Sequence, residues 1–99
     1  MYVKAIIKDK DGNQFDVTAT CKCNILAPIS ISEHMAYGMA TAVLLKRFMG
    51  KIRKYANKNH AIAEIQTDNP ILAQQFEKQG YKVKLEPNLE LELKQEAKT

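Results

Sequence analysis

The sequence is poor in several features that would each point to a class of protein. It has two cysteines, Cys21 and Cys23, and their spacing of one residue argues against a disulfide framework. No apolar run approaches the length of about 20 residues that a transmembrane helix needs. The chain opens on a strand-like pattern without the apolar region of a signal peptide. We therefore expect a cytoplasmic protein with no membrane partner.

Acidic residues are missing from the stretch that carries much of the positive charge. The formal net charge is +4, and no acid occurs among Lys46, Arg47, Lys51, Arg53, Lys54 and Lys58. Such a run either forms a solvated helix face or binds the phosphates of a nucleic acid or of a cofactor such as CoA. The residues that would share one side of a helix, and so form an alternative basic binding face, are Arg47, Lys51, Lys54 and Lys58.

Length and composition indicate one globular domain. A chain of 99 residues is long enough for one hydrophobic core and too short for two. Apolar residues make up 45% of the sequence and charged residues 26%, which is ordinary for a globular protein. We predict a single domain over residues 1–99 with a frayed tail over 95–99.

Two strands are predicted at the start of the chain. Residues 2–8 alternate between apolar and polar positions, and the turn-forming residues 9–13 follow. A longer alternation starts at Phe15 and should end near Leu26, because Pro28 cannot donate to a sheet ladder. Its expected core face carries Phe15, Val17, Ala19, Cys21, Cys23 and Ile25.

Two helices follow. Ser30 and Glu33 fit a capping box, and an apolar stripe at helical spacing predicts a long amphipathic helix. The stripe, which we expect to face the core, is Ile31, Met35, Met39, Ala42, Leu45, Met49, Ile52 and Ala56. The methionines in it could instead form a groove for a partner. Asn69 and Pro70 predict the start of a second helix over residues 71–79, with Gly80 at its C-terminal end.

The remaining strands complete the predicted order β-β-α-β-α-β-β. They cover residues 61–66 and 81–85, with a last strand over residues 89–94. The fold class is therefore α/β (α+β) with a single mixed, mostly antiparallel sheet. We expect the long helix to form a parallel crossover between its two flanking strands.

The segment from Asn69 to Tyr81 resembles the signature of the GNAT family of acyltransferases. That signature has an asparagine after a strand, followed by a helix that ends in aromatic-Glu-Lys-x-Gly-aromatic, and Phe76, Glu77, Lys78, Gly80 and Tyr81 fall at those spacings. The resemblance covers about the last two-thirds of the chain, without the first strand and two early helices of the family. It implies a minimal GNAT-like fold that binds acetyl-CoA and transfers the acyl group to an amine acceptor.

The same resemblance implies a cofactor site. In the family, backbone amides at a helix start hold the pyrophosphate of acetyl-CoA, and the matching residues here are Gly38, Met39, Ala40 and Thr41, with Asn69 near the pantetheine arm. Met35 stands where the family has Arg or Gln, and Phe76 stands where it often has a tyrosine general acid. Four other residues could act as the acid, namely His34, Tyr37, Tyr55 and Tyr81, but their spacing favours none of them. No catalytic residue is therefore assigned.

Alternative interpretations stand beside these. Asn69 could serve only as a helix cap, and Gly38 could serve only to allow close helix packing. The cysteines lack the spacing of common zinc sites, so no metal is predicted. The alternative function is that of a small basic accessory protein without enzymatic activity that binds nucleic acid or a protein partner.

Overall fold

A four-stranded mixed sheet forms one layer of the fold. The computed structural model describes residues 1–23, 25, 28–57 and 59–86. The described strands are β1 (Tyr2–Asp9), β2 (Gln14–Thr20), β3 (His60–Thr67) and β4 (Val83–Leu85), in the sheet order β2-β1-β3-β4. β1 is antiparallel to both β2 and β3, whereas β4 is parallel to β3. The predicted last strand, over residues 89–94, and the tail over 95–99 lie outside the described residues.

β1 and β2 form the predicted hairpin. The carboxylate of Asp9 accepts the amides of Asp11 and Asn13, each at 2.9 Å, and Gly12 takes the positive φ of 83° that the turn needs. The prediction that β2 continues to Leu26 was wrong, since β2 ends at Thr20. The physical reason is the partner strand: beyond the Tyr2–Thr20 pair, the last bonds between β2 and β1 are those that Met1 exchanges with Cys21.

Helix α1 (Ile31–Ile52) starts at the predicted cap but buries a different face. The Ser30 hydroxyl accepts the Glu33 amide at 3.1 Å, and the Glu33 carboxylate accepts the Ile29 amide at 2.9 Å. The predicted core stripe is wrong for most of its members, because Met35 is 65% exposed and Met39 is 71% exposed. The residues that α1 buries are Tyr37, Thr41, Leu44 and Phe48.

Helix α2 (Pro70–Lys78) connects β3 to β4 and agrees with the predicted pattern. Its buried residues are Leu72, Ala73 and Phe76. Gly80 adopts φ 94°, and the amides of Gly80 and Tyr81 donate to Glu77 and Phe76 carbonyls in a Schellman motif. The expected parallel crossover is confirmed: β2 and β3, which flank α1, are both antiparallel to β1 and so run parallel to each other, with β1 between them. A second parallel pair, β3 and β4, is joined by α2.

Both helices pack on one face of the sheet and enclose one core. Val3, Ala5 and Ile7 of β1 point into it, as predicted, and form a single cluster with the buried side chains of α1 and α2. Phe48 and Phe76 join the two helices through an edge-to-face contact with ring centroids 5.7 Å apart. Neither described helix has the length and apolar character needed to cross a membrane.

Candidate functional site

Asn69 is a structural cap at one end of the sheet. Its side chain is fully buried, and Oδ1 accepts the amides of Ile71 at 2.9 Å and Leu72 at 3.1 Å. Nδ2 donates to Thr41 Oγ1 at 2.8 Å and to Met1 Sδ at 3.5 Å. A side-chain amide has two lone pairs and two N–H groups. All of this side-chain capacity is used within the protein, so Asn69 caps α2. Its position near a pantetheine arm stays a prediction that rests on the GNAT resemblance.

The proposed pyrophosphate residues Gly38, Met39, Ala40 and Thr41 lie inside α1, beyond its first turn. Only the first few amides of a helix lack intrahelical partners, so the amides of residues 38–41 donate to carbonyls one turn earlier. A Cβ at Gly38 would meet no atom within 4 Å, so this glycine does not serve close helix packing. Acetyl-CoA binding at these residues stays a prediction that rests on the GNAT resemblance.

The positive charge lies along the last turns of α1, beside the β2 edge of the sheet. We use the name basic surface for the exposed cations on the last turns of α1 and the 3-10 turn Arg53–Tyr55, which are Lys46, Arg47, Lys51, Arg53 and Lys54. Lys58 lies outside the described residues. The salt bridges found in the described part of the chain are elsewhere, Lys4 with Asp16 at 4.0 Å and Lys84 with Glu86 at 3.6 Å.

Two members of the basic surface also contact the edge of the sheet. Arg47 Nη1 donates to the Thr20 carbonyl at 3.0 Å, and Lys51 Nζ donates to the Thr18 carbonyl at 2.7 Å. Because β2 is an edge strand, these carbonyls would otherwise be open to pairing with another chain. The other three cations make no such bond among the described residues, so their charge is fully available to an anion.

Three aromatic rings pack together beside the basic surface. The ring centroids of Phe15 and Tyr55 are 4.9 Å apart, and His60 lies 5.8 Å from Phe15 and 5.6 Å from Tyr55. Asn57 Oδ1 accepts the Asn59 amide at 2.9 Å and lies 2.8 Å from His60 Nδ1. Because this oxygen can only accept, Nδ1 must carry the proton, and Nε2 is the nitrogen that could serve a ligand.

A groove of about 660 Å³ opens next to these rings. The aromatic and cationic residues in its lining are Tyr55, His60, Tyr81 and Arg53. The rest of the lining is mostly aliphatic. Tyr55 also borders a smaller depression that Lys51 and Lys54 line, together with Asp16. The groove and the basic surface therefore share one boundary, and together they form the candidate functional site.

The other groups that sequence reasoning considered as acids are not brought together. Tyr37 is buried in the core, where burial, the carboxylate of Asp68 and the nearby Cys23 raise its pKa. Phe76 is also buried, as an apolar core residue should be. His34 is exposed on α1, away from Tyr55 and Tyr81 of the groove. Within residues 1–86, as far as they are described, no group of three or more His, Cys, Asp or Glu is placed to hold a metal ion.

Comparison with known proteins gives no relative from which to transfer a function: no protein-family model, curated protein or solved structure matches this chain. The function must therefore be argued from the site itself.

Sequence reasoning identified the cations of the site but not the groove. The groove is lined by residues from the end of β1, the end of α1, the start of β3 and the segment after α2, with Ile7, Ile62 and Tyr81 far apart in the chain. No local pattern connects such positions. The one signal available was Tyr55, an aromatic residue directly after the basic run.

Proposed function

We propose that this protein binds nucleic acid through the basic surface. The observation that supports this function is the concentration of exposed cations on the last turns of α1 and the 3-10 turn after it, without a neutralising acid within 4 Å among the described residues. The sequence contains no Asp or Glu from His34 to Ala63, so the cations act on a partner as one positive region.

A phosphate backbone is the partner that such a surface fits best. Each phosphate neutralised by Lys or Arg releases condensed counterions, which supplies affinity without base-specific contacts. Arg47 and Lys51 hold their positions through bonds to β2, whereas Lys46, Arg53 and Lys54 are free to adjust to the spacing of the phosphates. The surface therefore combines two anchored charges with three adaptable ones.

The test compares two pairs of charge removals. The double variant Lys46→Gln and Lys54→Gln removes cations from the basic surface without touching the bonds to β2. The matched control, Lys78→Gln with Lys82→Gln, removes the same charge from exposed positions near the end of α2. Binding of a fluorescent single strand and of a duplex is measured by anisotropy over a salt series.

We expect the basic-surface variant to bind about tenfold or more weakly at about 50 mM salt, and its slope of log affinity against log salt to fall by about 1 to 2. The control should bind within about twofold of the unaltered protein. If both variants lose affinity equally, net charge and not the basic surface explains the binding. If no nucleic acid binds at low salt, the proposal is wrong and an acidic protein becomes the partner to seek.

A further inference from the structure

The groove beside the basic surface borders the first half of β3. β4 pairs with β3 only at residues 65–67, so this half of β3 has no strand on the β4 side among the described residues. Ile62 of β3 and Ile7 of β1, which are opposite each other in the sheet, line the groove. Its volume of about 660 Å³ lies within the range of small-molecule sites, about 300–1,000 Å³.

The walls of the groove suit a flat aromatic ligand. Tyr55 and His60 are held by each other and by Phe15, and the bond from His60 Nδ1 to Asn57 fixes the imidazole further. Tyr81 also lines the groove, and the centroid of its ring lies 6.0 Å from that of Phe76. Rings that are fixed in place provide stacking surface at little entropic cost, and every nucleobase has a π-face that can use it.

The positive charges around the groove indicate which kind of flat ligand it would bind. Arg53 lines the groove, and Lys51 and Lys54 lie beyond Tyr55 in the adjoining depression. A ligand that places an apolar ring inside would therefore carry its negative charge at the rim. A nucleotide unit of a strand has this arrangement, since its base is flat and its phosphates lie one sugar away.

We infer that the groove receives an unpaired nucleobase of a strand whose phosphates contact the basic surface. This inference rests on the proposed function and adds a preference to it. A base in a duplex must leave its stack and its partner before it can enter, whereas a base in a single strand is available. The protein should therefore bind single strands more tightly than duplexes of equal charge.

The experiment distinguishes the contribution of the base to binding from that of the phosphates. Anisotropy at constant salt compares a single strand of about ten nucleotides with an abasic strand of the same length and charge. The variant Ala56→Leu places a larger side chain in the lining of the groove, and Ala63→Leu places the same side chain on an exposed position of β3 outside that lining. Both positions are exposed, so both proteins should fold.

We expect the unaltered protein to prefer the base-containing strand by roughly 5- to 150-fold, the range for stacking of one base. Ala56→Leu should reduce this preference to about twofold or less, while Ala63→Leu should keep it. Binding of the abasic strand should be the same in all three proteins.

Two results would overturn the inference. Equal affinity for the abasic and base-containing strands would show that only phosphates are bound, and the proposed function would then stand without a base site. A preference for bases that survives in Ala56→Leu would place the base elsewhere on the protein. Failure of the proposed function itself looks different, because then neither strand binds at low salt.

Discussion

Polar side chains are buried at one end of the sheet and exposed at the other. At the end near Asn69, the side chains are buried and bonded to one another: Thr67 Oγ1 donates to the Tyr2 carbonyl at 2.6 Å, and Asn69 joins Thr41 of α1. No buried side-chain nitrogen or oxygen among the described residues lacks a partner. At the end near Tyr55, the polar groups are exposed and surround an open groove.

This difference separates structural from functional residues without any relative for comparison. A buried polar group must be satisfied within the protein, because an unsatisfied group costs about 1–3 kcal/mol. Such a group contributes to stability and has no capacity left for a ligand. Exposed cations without acidic partners contribute little to stability, so the binding that we propose would give a role to their concentration along the last turns of α1. Asn69 illustrates the first case, and Lys54 the second.

The largest effect that we expect is a fall in the free energy of unfolding when Asn69 is replaced. Asn69→Ala removes the cap of α2 and leaves Thr41 and two amides without their partner, which should lower the free energy of unfolding by about 2–4 kcal/mol. The matched control is Asn57→Ala at the open end, where Oδ1 also accepts two bonds but the residue is exposed. That change should cost about 1 kcal/mol or less. Urea denaturation measures both, and equal losses would remove the contrast between the two ends.

A smaller effect is expected where the basic surface meets β2. The double variant Arg47→Met and Lys51→Met keeps the apolar stems but removes the donors to the Thr20 and Thr18 carbonyls. We expect about 1 kcal/mol less stability and more self-association with rising concentration, since the β2 edge becomes open to strand pairing. Sedimentation velocity measures the association, with Lys46→Met as the control. Unchanged association would show that these two side chains do not protect the edge.

The smallest effect concerns the hairpin turn at the open end. Although desolvation opposes it, the pKa of Asp9 is lowered, because the side chain and amide of Asn13 and the amide of Asp11 donate to the carboxylate and His60 adds positive charge. A lowered pKa in the folded state means that the contribution is complete above the ordinary value of 3.8 and is lost as the pH falls through the folded value.

The matching measurement uses Asp9→Asn, which cannot titrate. Urea denaturation at about pH 6 and about pH 2.5 should show a larger loss of stability on acidification for the unaltered protein than for Asp9→Asn. The difference should be small, because the carboxylate is exposed. An NMR titration that gives Asp9 an ordinary or raised pKa would contradict the prediction.

Local signals explain the parts of the fold that were predicted correctly. The Ser30 and Asn69 caps and the Gly80 terminus depend on hydrogen bonds within a few residues, so the nearby sequence is sufficient to recognise them. The hairpin turn was also predicted, because residues 9–13 form it through bonds among near neighbours. The length of β2 was not predicted, since the end of β2 depends on its pairing with the start of β1.

The buried face of α1 shows that a periodic pattern alone does not determine which face of a helix is buried. The helix carries apolar residues on two faces, one with Met35 and Met39 and another with Leu44 and Phe48, and helical spacing describes both. The choice between them depends on contacts from distant segments: Phe76 packs against Phe48, Asn69 bonds Thr41, and Arg47 reaches β2.

The sequence by itself determined the class of the fold, its caps and turns, and the position of a cationic run, because each follows from composition or from interactions between near neighbours. Only the tertiary structure decided that the Asn69 side chain is buried and bonded within the protein and that Tyr55, His60 and Tyr81 share a groove beside that run. The physical reason is that burial and cavities are made by segments far apart in the chain, whose packing no local pattern records.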